Sequence, residues 1–161
     1  MAHIHVTSWR QAYRGQISQS YLDSLDVVVR QKKWEDIFRA TSAAPSALYL
    51  AHRYQTPIGF ISFGPARDER FRGLSEIYAL YVLEDAWNAG VGHALFKTAG
   101  QIMRERGFQK AYAWVLTSNE RALRAYQRWG GTRHPTIENE DRIAGKVLTE
   151  AAITFDLMPV I

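Results

Sequence analysis

Two glycines at the start of a predicted helix are the residues of this sequence best suited to bind an anion. A strand-like segment ending at Leu83 leads into a loop and then into a helix whose first turn contains Gly90 and Gly92. The first four backbone N–H groups of a helix have no partner within it, and the helix dipole adds partial positive charge there. Because glycine has no side chain to hold a ligand away, this turn predicts a site for a phosphate or a diphosphate.

The letters around these glycines exclude two other phosphate-binding motifs. A Walker loop ends in Gly-Lys followed by Ser or Thr, whereas Gly92 is followed by His93 and Ala94. A dinucleotide fingerprint needs a third glycine three residues after Gly92, where this chain has Leu95, and it belongs to a repeated βαβ unit that is not predicted here. A structural alternative stays open, in which the two glycines only permit a tight turn and close helix packing.

Two stretches resemble, in the right order and separation, signatures of the GCN5-related N-acetyltransferase (GNAT) family. The run Trp87-Asn88-Ala89-Gly90-Val91-Gly92 is similar to the family's acyl-CoA-binding motif, which is Gln/Arg-x-x-Gly-x-Gly/Ala after a strand. Residues 115–126 are similar to the next signature, in which a strand ends before an Asn and a helix with a Tyr follows. The upstream run SWRQAYRGQIS also looks like the first helix and connection of one bacterial branch. The resemblance covers almost the whole chain.

The chain departs from the family pattern at three places. Trp87 stands where the motif has Gln or Arg, so the contact that such a side chain makes is not implied, although a backbone cradle does not depend on it. Gly131 replaces the aromatic residue that commonly follows the glycine after the last helix. The family's opening strand should precede the first helix, and no residues are present to form it.

The resemblance implies a binding site for acetyl-CoA. The loop residues contact the diphosphate, and three strand residues hold the pantetheine arm through their backbone, although their apolar identity fits a buried strand equally well. Asn119 precedes Tyr126 by seven residues and Ala122 precedes it by four, so the three share one helical face, which the resemblance places along the thioester. Asn119 can also cap its helix. The implied loop and strand contacts are Asn88, Ala89, Gly90, Val91, Gly92, His93, Leu80, Tyr81 and Val82.

Acetyl transfer from a thioester to an amine makes three demands on the protein. An ammonium with a pKa of about 10.4 must lose a proton, the tetrahedral oxyanion must be stabilised, and the leaving thiolate benefits from a proton. The resemblance implies that Glu76 is the general base, directly or through water, and that Tyr126 protonates or hydrogen-bonds the sulfur. The alternatives are an ordinary surface residue for Glu76 and a core tyrosine beside Trp129 for Tyr126.

The amine acceptor, by the same resemblance, lies near the first helices. Trp9, Tyr13 and Tyr21 are candidate walls of its pocket, although aromatic residues at near-helical spacing also form cores. The charged loop at residues 67–72 is the other candidate wall, and its alternative is a solvated loop.

The sequence lacks the residues that other classes of enzyme require for catalysis. The chain has no cysteine, no HExxH motif and no Gly-x-Ser-x-Gly elbow, and its five histidines are scattered. We therefore predict no metal cofactor and no protein nucleophile. Direct attack of an amine on a thioester requires neither.

Length and composition predict one globular domain over residues 1–161. The chain is 47% hydrophobic and 22% charged, far from the composition of disordered segments. Its net charge of +4 arises from 20 basic and 16 acidic residues that are interleaved, without the basic block of a nucleic-acid tail. No stretch approaches the roughly 20 apolar residues of a membrane span. We therefore expect a cytoplasmic protein that binds neither nucleic acid nor membrane.

Hydrophobic periodicity predicts the elements that position these residues. Helices are predicted over 3–14, around 21–25, over 31–40, over 91–106, and from a Thr117/Glu120 capping box to about 129, with Glu120 and Arg124 paired. A turn at 41–46 precedes a hairpin at 47–54 and 58–63, and further strands are predicted at 74–83, 108–116 and 149–157, with a second tail strand left open. The fold class is α/β (α+β), and the resemblance implies a single mixed, mostly antiparallel sheet flanked by helices.

These observations predict an N-acetyltransferase that transfers an acetyl group from acetyl-CoA to a primary amine. The acceptor is a small molecule or a protein N-terminus, and a homodimer is left open. The alternative is a non-catalytic acyl-CoA sensor, against which Glu76 and Tyr126 count. A basic nucleic-acid-binding domain is favoured only by the pI near 9.5.

Overall fold

The fold rests on one mixed sheet. A computed structural model describes residues 1–40 and 46–157, so most of the turn predicted at 41–46 lies outside the described residues. Within those ranges the chain forms five α-helices and six strands. In chain order they are α1 (Ala2–Ala12), α2 (Gln19–Ser24), α3 (Val27–Ala40), β1 (Ala47–Arg53), β2 (Thr56–Pro65), β3 (Ser75–Val82), α4 (Val91–Glu105), β4 (Lys110–Leu116), α5 (Glu120–Arg128), β5 (Thr132–Ile143) and β6 (Lys146–Asp156).

The described strands lie side by side in the order β1-β2-β3-β4-β6-β5. Neighbours are antiparallel except β3 and β4, which run parallel. This confirms the predicted fold class, a mixed and mostly antiparallel sheet flanked by helices. Within residues 1–40 no strand precedes α1, and β1 forms one edge of the sheet.

Helices cover both faces of the sheet. On one face α4 buries Leu95 and Met103 against the strands, in a cluster that also contains Tyr126 of α5. On the other face Ile4 of α1 and Trp34 of α3 pack with Phe60 of β2. Burying each such side chain stabilises the fold by about 1.5–3 kcal/mol. Of the helices in the described residues, none has the length and apolarity to cross a membrane.

Most predicted boundaries agree with the structure to within three residues, but α3 begins four residues before the predicted start. Asp26 explains the difference, because its Oδ1 accepts hydrogen bonds from the backbone N–H groups of Val28 (2.7 Å) and Val29 (3.0 Å). β-branched residues have low helix propensity, so the run of valines does not read as a helix in the sequence. The side-chain cap outweighs that preference at the first turn.

The predicted capping box at α5 is wrong. The cap is Asn119, whose Oδ1 accepts from the backbone N–H of Ala122 at 3.1 Å. Thr117 directly follows β4 and is held by β6, because both its N–H and its hydroxyl donate to the carbonyl of Thr149. The predicted pair of Glu120 and Arg124 is confirmed, at 2.8 Å.

The hairpin turn is also displaced from its predicted place. The strands are joined through Tyr54 and Gln55, and β2 already begins at Thr56, which pairs with Arg53. Tyr54 adopts a φ of +57°, which closes a two-residue turn without a glycine. Pro57 favoured a later turn in the sequence, but it lies within β2.

Candidate active site

A cleft opens in the sheet where β3 and β4 part. Three residue pairs join the two strands, the last of them Ile77 with Ala113. On its other side β3 carries one residue, Tyr78, that has no partner in the register with β2. Such a bulge turns a strand away from its neighbour. Beyond Ile77 the edge of β3 that faces β4 therefore has no strand beside it.

This cleft holds a cavity of about 940 Å³. A cavity of that size lies at the upper end of the usual range for small-molecule and cofactor sites. Its walls include the residues that the resemblance assigned to acetyl-CoA, with one exception: Ala89 is exposed and does not line it. The predicted residues that line it are Glu76, Leu80, Tyr81, Val82, Asn88, Gly90, Val91, Gly92, His93, Asn119, Ala122 and Tyr126.

The N-terminus of α4 forms one end of the cavity. The helix has Gly90 as its N-cap, and no side chain caps its first turn. The N–H groups of Val91, Gly92 and His93 therefore lie at a positive helix end without an intrahelical partner. This arrangement suits a diphosphate.

The two positions in this turn require glycine for different structural reasons. Gly90 has a φ of +80°, and an added Cβ would meet no atom within 4 Å, so the backbone conformation is what requires glycine. At Gly92 a Cβ would lie 3.2 Å from a ring carbon of Trp129, so close packing is the reason. The two glycines therefore do permit a tight turn and close helix packing, as the structural alternative held. Neither feature blocks the N-terminus of α4 from a ligand.

Trp87 and Arg121 meet across the mouth of the cleft. The Trp87 indole N–H donates to the carbonyl of Val82 at 2.8 Å, which fixes the ring at the end of β3. The Arg121 guanidinium, from the first turn of α5, lies over that ring with its carbon 3.5 Å from the ring centroid. Both side chains line the cavity. The sequence did not indicate this contact.

Helix α5 presents the face predicted from its spacing. Asn119, Ala122 and Tyr126 all line the cavity. Tyr126 is buried, and its hydroxyl forms no hydrogen bond with any residue in the described part of the chain. Burial, with a smaller effect of Tyr13, raises the pKa of Tyr126, so the hydroxyl keeps its proton at neutral pH.

Glu76 is a buried member of a hydrogen-bonded network. The alternative of a surface residue is wrong, because Glu76 is 3% exposed. Its carboxylate accepts from the backbone N–H (2.9 Å), Nε (3.2 Å) and Nη2 (2.6 Å) of Arg67, and from the Tyr112 hydroxyl (2.8 Å). Burial and the bond to Glu76 raise the pKa of Tyr112, and the bond to Glu76 raises that of Arg67. The carboxylate therefore accepts four hydrogen bonds, three of them from Arg67.

Glu150 is a second carboxylate on the cavity wall, and sequence reasoning missed it. It is half-buried on β6, opposite Leu116 of β4 and Asn139 of β5. Burial and the nearby Asp141 raise the pKa of Glu150, and no described cation forms an ion pair with it. In the sequence it is one acidic residue at the start of an apolar strand, a pattern typical of a solvated strand end.

Only some of the residues predicted to form the walls of the acceptor pocket line the cavity. Trp9 and Tyr13 line it with their rings 4.9 Å apart, and the Trp9 indole donates to the Tyr81 hydroxyl at 2.9 Å. Tyr21 does not line it and packs in an apolar cluster instead. Of the loop at 67–72, only Arg67 and Asp68 reach the cavity.

The histidines stay apart from one another. His5 is buried among aromatic rings and accepts a hydrogen bond from the Trp34 indole at 3.2 Å, while its Nε2 has no partner in the described residues. Burial lowers the pKa of His5 to about 3. His93 is exposed at the start of α4 and stacks on Trp129. Among the residues that the structure describes, no three His, Asp or Glu side chains converge as metal ligands.

Comparison with known proteins agrees with this geometry. Residues 3–131 match the family model described as "Acetyltransferase (GNAT) family". The chain is 31% identical over 154 residues to a protein of Bacillus subtilis (strain 168) described as uncharacterized N-acetyltransferase YuaI, covering 95% of this chain and 84% of that protein.

Solved structures share the fold. The PaiA N-acetyltransferase of Thermoplasma acidophilum, in complex with coenzyme A, has a TM-score of 0.70 at 20% identity, covering 96% of this chain and 89% of that one. YncA of Salmonella typhimurium, with its cofactor acetyl-CoA, has a TM-score of 0.70 at 18% identity, covering 99% and 88% of the two chains.

Proposed function

The chain belongs to the acetyltransferase (GNAT) family, and we propose that it transfers the acetyl group of acetyl-CoA to a primary amine by direct attack of the amine on the thioester. The acceptor is a small molecule or a protein N-terminus. The observation that carries the proposal is the cleft between β3 and β4, which has the open N-terminus of α4 at one end and a buried, protonated tyrosine in its wall. Two proteins of the same fold are described with coenzyme A or acetyl-CoA.

The chain's own backbone would hold most of the co-substrate. The amides of residues 88–93 face the diphosphate, although Ala89 contributes at most its backbone because it lies outside the cavity wall. The edge of β3 that faces the cleft, at Leu80, Tyr81 and Val82, would hydrogen-bond the amides of the pantetheine arm in place of a neighbouring strand, with the Val82 carbonyl also accepting from Trp87. Asn119 and Ala122 form the opposite wall, and Asn119 caps α5 with the same side chain.

Tyr126 has the properties of the acid that the leaving group needs. The amine nitrogen forms a bond to the thioester carbon, the C–S bond breaks, and the sulfur takes the proton of the Tyr126 hydroxyl. Because that hydroxyl has no hydrogen-bond partner in the described residues and keeps its proton, it is free to donate to the sulfur. Tyr126 then recovers a proton from solvent or from the acceptor.

Two carboxylates are candidates for the base that takes the proton of the attacking ammonium. Glu76 was predicted from the resemblance as the base, directly or through water, but its carboxylate oxygens already accept four hydrogen bonds from Arg67 and Tyr112. Glu150 lines the same cavity without a cationic partner in the described residues, and its pKa is raised. A raised pKa makes a carboxylate a better base at neutral pH.

Turnover with an amine panel tests the proposal. The purified protein is incubated with acetyl-CoA and diamines, amino sugars, amino acids and peptides with free N-termini, and thiol release and the acetylated product are measured. We expect thiol release that depends on one class of amine, with a product heavier by one acetyl group. Tight binding of acetyl-CoA with no transfer to any amine would contradict catalysis and favour the acyl-CoA sensor. A cytoplasmic location, a homodimer, and the absence of a metal or of nucleic acid as a partner stay predictions.

A further inference from the structure

The loop before α4 lacks the polar side chain that its motif leads one to expect. Trp87 occupies that position, and its one polar group, the indole N–H, already donates to the carbonyl of Val82. The ring is therefore fixed and offers only its face to the cleft. A diphosphate held there would meet the open N–H groups of α4 and no cationic side chain from the loop.

We propose that Arg121 supplies the missing charge and binds the diphosphate of acyl-CoA from the α5 side of the cleft, with Trp87 holding it in place. The guanidinium lies flat against the indole, with its carbon 3.5 Å from the ring centroid. A guanidinium stacked by its face keeps its N–H donors free in the plane of the group, where they match two phosphate oxygens. This inference rests on the proposed function, because it assumes that acyl-CoA occupies the cleft.

The surroundings of Arg121 support an anionic ligand. Arg121 lines the cavity, as Gly90 and His93 do, but forms no hydrogen bond or ion pair with any residue in the described ranges. The cavity walls lower the pKa of Arg121 by desolvation, partly offset by Tyr13 and Glu84, and the group stays a cation at neutral pH. Arg121 is exposed and lines the cavity, so its N–H donors are accessible to an anion that enters the cleft, and a charge-assisted hydrogen bond to phosphate is stronger than a neutral one.

Arg124 is a matched control on the same helix. It is exposed, its guanidinium is paired with Glu120 at 2.8 Å, and it does not line the cavity. Both arginines add one positive charge to α5. A general effect of net charge would therefore appear in variants of either residue, whereas a direct contact with phosphate would appear at Arg121 alone.

Ligands that differ in their phosphates test the contact without an acceptor or turnover. Dissociation constants are measured for CoA, for dephospho-CoA, which keeps the diphosphate, and for pantetheine, which has no phosphate. We expect Arg121→Ala to weaken CoA and dephospho-CoA about tenfold and pantetheine less than twofold, and Arg124→Ala to change none of the three. The thermal midpoint of each variant checks that it is folded.

Trp87 is tested with two substitutions. Trp87→Phe keeps an aromatic face and should hold CoA affinity within about threefold, whereas Trp87→Leu removes the face and should match Arg121→Ala. Equal weakening of pantetheine and CoA by Arg121→Ala, or unchanged CoA affinity, would overturn the proposal. Loss of dephospho-CoA affinity with no loss for CoA would also do so. If the unmodified protein binds none of the three ligands, the proposed function itself fails.

Discussion

The Tyr112 hydroxyl donates a hydrogen bond of 2.8 Å to Glu76, its register partner in the short parallel ladder between β3 and β4. Both side chains are buried, and the acceptor is the carboxylate that also pairs with Arg67. Removing one partner of a buried hydrogen bond costs more than the bond itself contributes, because the other partner is left unsatisfied. The contact therefore fastens the strands just before they part.

Removing this hydroxyl is expected to destabilise the fold. Tyr112→Phe should lower the free energy of unfolding by about 1.5–3 kcal/mol, because the buried Glu76 carboxylate loses one of its four hydrogen-bond donors. Urea titration measures the change. Tyr54→Phe is the control, since Tyr54 is 97% exposed and should change stability by less than about 0.5 kcal/mol. Equal stability of the Tyr112→Phe variant and the unmodified protein would contradict the role of this bond.

The proposed acid role of Tyr126 predicts that removing its hydroxyl lowers kcat but leaves KM nearly unchanged. Tyr126→Phe should lower kcat by about 10²-fold and leave the KM for acetyl-CoA within twofold, because the hydroxyl acts on the departing sulfur. The variant should fold normally, since the hydroxyl has no partner in the described residues and the ring stays packed against Trp129 and Phe155. Steady-state kinetics on the amine identified by the panel provides the measurement, and an unchanged kcat would remove the acid role.

The pH dependence of turnover distinguishes the two candidate bases. The base must be ionised, so kcat/KM falls on the acidic side of its pKa. If Glu150 is the base, Glu150→Gln should lower kcat/KM by about 10²-fold and abolish that acidic limb. Asp141→Asn should shift the limb to lower pH, because the negative charge of Asp141 raises the pKa of Glu150. A profile unchanged by both substitutions would return the role to Glu76 or to water.

His5 makes stability depend on pH. Its folded pKa of about 3 lies below its usual value of 6.5, so above pH 6.5 the ring is neutral in both states and its ionisation contributes nothing. Between pH 6.5 and 3 only the unfolded chain takes up this proton, and stability falls by up to about 1.4 kcal/mol for each pH unit. His5→Phe should reduce the slope of unfolding free energy against pH in this range by that amount. An identical slope in the variant would show that the buried ring is protonated in the fold.

The parts of the site that depend on local sequence were predicted well. The glycine turn, the start of α4 and the face of α5 follow from residues within one or two helical turns, where capping, backbone freedom and spacing act directly. Gly90 with its φ of +80° is the clearest example. The resemblance to the family supplied the roles of these residues, which spacing alone does not reveal.

The missed features join residues that are distant in the chain. Glu76 meets Arg67 nine positions before it and Tyr112 thirty-six positions after it, so no local pattern indicates that its carboxylate is already occupied. The contact of Trp87 with Arg121 depends likewise on how a loop and a helix face each other across the cleft. The Thr117/Glu120 capping box at α5 is wrong for a related reason, because Thr117 is bound to Thr149 on another strand, whereas the cap by Asn119 is local and was predicted.

The short ladder between β3 and β4 divides the sheet into two halves. Within the described residues, strands β1–β3 and β4–β6 are joined by three residue pairs, and beyond Ile77 and Ala113 no pair joins the two halves. The separation of the halves sets the width of the cleft, and two buried alanines of β4, at 111 and 113, lie at this ladder. A larger side chain at Ala111, which is buried and does not line the cavity, would push the two halves apart and change which ligands fit without altering a residue that touches them. Substitution within this short ladder is thus a way to change the width of the cleft from outside the ligand site.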